Sequence, residues 1–397
     1  MSTNFDIAVI GNGMIGAAAS RYLSASGLRV AAIGPGEPEN WQTHHGVFAS
    51  YYDQGRITRI IDPDLIWGLM AKRSIEVYPE IEAHSGVQFH YPVGQLRVSY
   101  DPLAPGDSIE PSDAVGRELG AVYQRLQRNQ LVERFPYLNF PAKAEALWEE
   151  GMAGFINPRA LVRAQLIIAA QQGASVIGEE VIGIDRQQGE FEVVTNTGSR
   201  IHAKKVILAT GGFTNLLLGR KLDLRPKAVS VVLAELAEAE LARLQGLPTL
   251  IWRLDNHPLL ESIYSVSPTR YADGRVCFKI GGTLRQPIYL QSREEFLAHF
   301  HSPGNAHEIQ ALREVLLDLL PGLKVESWGS KPCVITYTAQ KYPYIDEIEP
   351  GLIVAVGGCG AAAKSSNEYG HIAALLAEKG EWSYDVEASN FRACWSS

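Results

Sequence analysis

The chain has 397 residues, 46% of them hydrophobic and 20% charged, with a formal net charge of −8. This is ordinary globular composition, long enough for two structural domains, and its acidity argues against a nucleic-acid footprint. No apolar run reaches the ~18 residues of a membrane span, and the start carries no basic secretory n-region. The four cysteines, Cys277, Cys333, Cys359 and Cys394, form no C-x-x-C pair. Neither a metal site nor a disulfide framework is therefore indicated, and a reducing cytoplasm is the expected compartment.

Residues 6–10 form a short, β-branched apolar run that suits a buried parallel strand. It leads into Gly11-Asn12-Gly13-Met14-Ile15-Gly16, a G-x-G-x-x-G. An alanine-rich helix to about residue 26 follows, and residues 28–33 read as a second buried strand. In that setting Gly11 permits the tight turn, Gly13 lets a pyrophosphate approach the backbone, and Gly16 lets helix and strand pack closely. The N–H groups at the helix start, from Met14 and Ile15 onward, face the phosphates. The acid that holds a ribose hydroxyl is expected about 20 residues past the motif. Here the strand runs into Gly34-Pro35-Gly36, and Glu37 is the first candidate.

Residues 38–62 have no clear period and contain Thr43-His44-His45-Gly46 and Arg56-Ile57-Thr58-Arg59. A helix is predicted over 64–79 and strand-like alternation over 86–100. The Pro-rich acidic stretch 101–113 is predicted to be an exposed loop. Asn157-Pro158 opens a helix to Gly173, with Asn as N-cap and Pro at the first helical position. Strands are predicted over 174–177, 190–195 and 201–208, the last two joined by a hairpin turn. The third of these ends in Ala209-Thr210-Gly211. Strands over 229–234, 263–267, 276–281 and 288–290 suggest an antiparallel sheet. A capped amphipathic helix is predicted over 305–320, with Asn305 and Glu308 as its capping pair. An apolar strand over 352–356 runs into Gly357-Gly358-Cys359-Gly360-Ala361-Ala362-Ala363-Lys364 and a helix to residue 378. The fold class is α/β: a Rossmann-like nucleotide-binding domain (1–82, 146–226, 336–397) interrupted twice by a mostly antiparallel substrate domain (83–145, 227–335). A ligand site between the two is the natural expectation.

The early glycine motif, the central run to Ala209-Thr210-Gly211 and the late Gly-rich loop coincide. Together they resemble the FAD-dependent oxidoreductases of the D-amino-acid oxidase type, above all the sarcosine oxidase and glycine oxidase branch. The resemblance covers nearly the whole chain. It implies FAD as cofactor, held by Gly11, Gly13, Met14, Ile15, Gly16, Glu37, His44, His45, Gly46, Arg56, Val181, Thr210, Gly211, Gly358, Gly360, Ala362 and Lys364. Cys333 falls where the branch has a cysteine bonded to the flavin, so a covalent link is open. By the same resemblance Arg59 and Lys364 hold the substrate carboxylate, and Lys279 stands over the flavin where relatives activate oxygen. A planar guanidinium suits a carboxylate bidentately. Three pocket residues depart from the branch pattern: Thr283 replaces a histidine, Ile335 an aromatic residue and Ser265 a tyrosine. These put sarcosine itself in doubt.

The implied activity is oxidation of the C–N bond of an amino acid or secondary amine bearing a carboxylate. Hydride passes to the flavin, the imine is hydrolysed, and O2 is the expected acceptor; the branch implies a monomer. Two alternatives stay open. One is an amine dehydrogenase that passes electrons to a quinone or partner protein, and the other is a catalytically weak flavin-binding protein.

Overall fold

The computed structural model describes residues 4–104, 106–187, 189–254 and 256–396. The strand Asn4–Ile10 pairs in parallel with Val30–Ile33 on one side and Arg200–Leu208 on the other. Val30–Ile33 pairs in parallel with Ser175–Ile177. Alternate residues of the first strand feed two cores. Ile7 and Val9 meet the helices Met14–Ala25 and Ser366–Lys379, while Ala8 and Ile10 join Phe191, Val206 and Leu208 on the opposite face. Strands covered on both faces need apolar residues at every position, so these segments show no alternation in sequence.

Arg200–Leu208 has two neighbours along one edge. Its first half takes Glu190–Thr195 antiparallel, and its last residues take Leu352–Val356 in parallel. Val181–Gln187 and Tyr344–Glu349 extend these branches to an eight-stranded sheet. The helix Pro158–Gln171 starts as predicted, the Asn157 side chain accepting from Ala160 N at 3.1 Å.

A second, nine-stranded sheet is mostly antiparallel, although Thr249–Arg253 runs parallel to Gln95–Ser99. Its spine is Leu224–Leu236, paired along its length with Val325–Thr338. That strand outruns the predicted 229–234 because ladder hydrogen bonds continue through its polar ends. Phe278, Ile280 and Val232 share a core cluster with Leu312 of the helix Ala306–Leu319. Asn305 caps that helix by accepting from Glu308 N at 3.0 Å.

Two expectations are corrected. The helix predicted over 64–79 is two helices, Leu65–Glu76 and Tyr78–Ser85, the break falling just before Pro79, whose ring disfavours continuation. The stretch 101–113 is not simply an exposed loop. Asp107 is buried and accepts from Ser99 Oγ, Tyr100 N and Asp101 N, Ile109 is buried, and a helix spans Glu110–Glu118. The division at 146 falls inside the strand Glu145–Glu149 and that at 336 inside Val325–Thr338, both strands of the nine-stranded sheet.

Candidate active site

A cavity of about 560 Å³ lies between the two sheets. Gly11, Asn12, Gly13, Met14 and Ile15 line one end, with Ile33, Gly34 and Pro35 beside them. Gly11 has φ +106°, and a Cβ there would strike the Ala209 carbonyl. A Cβ on Gly16 would strike the Gly11 carbonyl, so both positions require glycine. Gly13 is the N-cap of Met14–Ala25, and no side chain caps the helix. A Cβ on Gly13 would meet nothing within 4 Å. The Asn12 Oδ1 atom is buried without a hydrogen-bond partner. An uncapped helix start and a buried polar atom beside it without a partner are what a bound dinucleotide would satisfy, so the residues fit that ligand.

Val181, Thr210, Gly211, Cys333, Gly358, Gly360 and Ala362 also line the cavity. Glu37 does not. Its carboxylate receives both Nε and Nη2 of Arg159, at 2.5 and 2.6 Å, while residues 33–35 belong to the lining. His44, His45 and Gly46 stand behind the wall. The His44 Nε2 atom meets Val47 O at 3.1 Å, the His45 carbonyl accepts from Arg293, and Gly46 packs beside the Glu180 carboxylate.

The wall is aromatic, and sequence inspection missed it. Phe48 stacks on Phe300 at 4.4 Å between ring centres, and Tyr51, Tyr52, Phe213 and Phe296 complete the lining. Loop 38–62 therefore folds against the helix Arg293–His301. The opposite wall comes from the nine-stranded sheet: Ile251, Ser262, Ile263, Tyr264, Thr283 and Ile335. Tyr264 fits because Gly281 lacks a Cβ, which would lie 2.6 Å from the ring. Ser265 is fully buried and faces away.

The cationic residues form two triads along one loop. Arg56 pairs with Asp53, and donates to Ser50 O at 2.9 Å, Gly55 O at 3.2 Å and Cys333 Sγ at 3.6 Å. Lys279, fully buried, donates to Asp53 Oδ2 at 2.7 Å and to Gly55 O. Burial, with the Arg56 charge beside it, draws this lysine well below its ordinary range. Lys279 thus turns to the loop and is absent from the cavity lining.

Arg59 lines the cavity and spends one edge on the protein, Nε to Ile61 O at 3.1 Å and Nη2 to Asp62 at 2.9 Å. Lys364, 1% exposed, sits 3.3 Å from the same Asp62 oxygen and 4.9 Å above the Trp67 ring. Burial draws Lys364 down to about 8, with Asp62 opposing. Burial works against charge on Asp62 too, but Lys364 and Arg59 outweigh it and hold the carboxyl below its usual range. Buried Glu149, accepting from Ile60 N and Ile61 N, is raised by burial to about 7. The structure therefore brings Arg59 and Lys364 together, but through Asp62. Neither Asp53 nor Asp62 was singled out in sequence. Their signal is the repeat Asp53-x-x-Arg56-x-x-Arg59-x-x-Asp62.

A family model for FAD dependent oxidoreductases, DAO, matches residues 6–376. The chain is 24% identical over 399 residues to a monomeric sarcosine oxidase of Bacillus sp. (strain B-0618), covering 97% of this chain and 95% of that one. It is 24% identical to the peroxisomal sarcosine oxidase of Mus musculus, covering 96% and 94%. Among solved structures, the open form of NikD, an unusual amino acid oxidase essential for nikkomycin biosynthesis, superposes with a TM-score of 0.80 at 18% identity, covering 100% and 98%. Glycine oxidase from Geobacillus kaustophilus gives 0.75 at 21% identity, covering 98% of each chain. The chain belongs to the DAO family of FAD-dependent oxidoreductases, and its cofactor is FAD. Among the described residues no helix is long and apolar enough to cross a membrane.

Proposed function

We propose that this FAD-dependent oxidoreductase oxidises the C–N bond of an amino acid or N-alkyl amino acid whose carboxylate docks on Arg59. The observation that carries this reading is the Arg59 guanidinium, which lines the cavity with one edge engaged by the protein and Nη1 without a protein partner among the described residues. FAD supplies the two-electron acceptor for the hydride from the carbon beside nitrogen. Arg59 fixes the carboxylate and so the position of that C–H bond. Ile57, Ile251, Ile263 and Ile335 give apolar walls that exclude water and accept an apolar side chain or N-alkyl group. Tyr264 and Thr283 offer hydroxyls on the same lining, and a neutral amine needs no protein base. The imine product is hydrolysed by water.

The test is an anaerobic panel of amino acids and N-methyl amino acids, read as bleaching of the flavin absorbance. Bleaching by carboxylate-bearing amines, lost when the carboxylate is amidated, supports the reading; bleaching indifferent to the carboxylate removes Arg59 from its role. Cys333 is the proposed attachment point if the flavin is covalent. Acid precipitation leaves colour in the pellet in that case and in the supernatant otherwise.

A second reading, of a dehydrogenase with an acceptor other than O2, is favoured by Lys279, whose ammonium is covered by Asp53 and Gly55. Slow reoxidation of the reduced enzyme by air in stopped flow supports it, and fast reoxidation supports the oxidase.

A further inference from the structure

We propose that Asp62 is a built-in carboxylate that holds Lys364 away from the ligand and sets the affinity of the Arg59 site for carboxylates, so that Lys364 is the counter-ion of Asp62 and not a substrate ligand. This rests on the reading of Arg59 as the carboxylate anchor.

Asp62 is 4% exposed and bridges the two cations through one oxygen, Oδ2, at 2.9 Å from Arg59 and 3.3 Å from Lys364. Its other oxygen accepts from Asp64 N at 3.3 Å. A lone buried carboxylate would be costly, and two cations offset that cost. Lys364 is fixed in turn, its ammonium reaching the Ala361 carbonyl at 3.5 Å and lying over Trp67. Arg59 belongs to the cavity lining, whereas Lys364 and Asp62 do not. An incoming carboxylate therefore meets one guanidinium whose Nε–Nη2 edge is already engaged, in a site carrying one positive charge fewer than it would have without Asp62. The internal acid repels the ligand and competes for the same guanidinium. In a desolvated site, unit charges this close change anion affinity by about tenfold or more. Asp62 thereby acts as a positioning residue that weakens carboxylate binding and disfavours doubly charged ligands.

The experiment measures acetate binding to FAD-loaded protein by calorimetry, with neutral acetamide as control, in wild type, Asp62→Asn, Lys364→Met, the double variant Asp62→Asn/Lys364→Met, and Arg59→Met. The expected results are acetate affinity about tenfold tighter in Asp62→Asn, weaker in Lys364→Met, and returned near wild type in the double variant, with acetamide binding unmoved. The double variant removes both charges at once, so it remains informative if Asp62→Asn leaves an unpaired lysine and folds poorly. A double variant as weak as Lys364→Met makes Lys364 a direct ligand and overturns the proposal. Unchanged acetate affinity in folded Asp62→Asn overturns it as well. Acetate affinity that survives Arg59→Met instead defeats the reading of Arg59 on which the proposal stands.

Discussion

Asp53–Arg56–Lys279 and Asp62–Arg59–Lys364 have the same chemical parts in mirror order along one loop, yet they do different work. Arg56 spends its guanidinium on Asp53, two carbonyls and the Cys333 sulfur, tying the loop to the strand Val325–Thr338. Arg59 spends one edge and keeps Nη1 for the cavity. Asp53 is gripped by Tyr271 Oη at 3.2 Å and Gln54 N at 2.8 Å besides its cations, whereas among the described residues Asp62 accepts only from Asp64 N besides its own. Both arginines line the cavity, but the first triad is tied to the protein through every partner named, whereas the second is the proposed carboxylate site. Identical residue types acquire separate roles from the number of donors left over.

The comparison breaks hardest at Asp53. Asp53→Ala strands Lys279 in a fully buried position, and losing one partner of a buried pair costs about 3–5 kcal/mol. The denaturant midpoint should fall accordingly, and an unchanged midpoint would deny that tie. Next is the contrast between the arginines. Arg59→Ala should raise KM for a carboxylate amine about 10- to 100-fold with kcat little changed, as expected for a lost charge-assisted hydrogen bond. Arg56→Ala should lower stability and leave KM nearly alone, and the reverse pattern would exchange the two roles.

The pH profile sharpens the second triad further. Glu149, raised by burial to about 7, gains its negative charge as pH rises through that value. Lys364, drawn by burial down to about 8, loses its positive charge just above. Asp62, held low by Lys364 and Arg59, stays charged throughout, and Arg97 on the strand Gln95–Ser99, although lowered by burial, stays cationic over this range. Both steps make the site less positive, so the Kd of acetate, itself charged throughout, should rise from pH 6.5 to 8.5, by about tenfold in all. Lys364→Met should flatten the upper limb only. The smallest effect is expected for Lys279→Met. Asp53 keeps Arg56 and Tyr271, and a methionine of similar volume should cost about 1 kcal/mol. A loss of several kcal/mol would mean that the lysine charge itself holds the loop.

Much of the nucleotide half could be read from sequence because its determinants are local. Gly11, Gly13 and Gly16 lie within one turn, the Asn157 and Asn305 caps act three residues away, and the buried strands announce themselves by unbroken apolar runs. The pairing of Asp53 with Lys279 spans 226 residues, and no period in loop 38–62 points to it. A still longer separation hid the stack of Phe48 on Phe300. Asp107 looked like a solvated loop acid because composition alone cannot reveal that three donors converge on it. Glu37 is the first acid after the second strand, and its ion-pair partner Arg159 stands on a helix 122 residues later.

The double neighbour of Arg200–Leu208 bears on the order of synthesis. Its last residues rest against Asn4–Ile10 on one side and Leu352–Val356 on the other. A nascent chain emerges N-terminus first, so the early strands wait on the ribosome with an apolar edge uncovered until residue 356 has left the tunnel. Premature termination before Leu352 would leave Val206, Ile207 and Leu208 as an open template for pairing with other chains. Messages truncated there should yield aggregates, whereas a chain interrupted after the strand Leu352–Val356 keeps that edge covered.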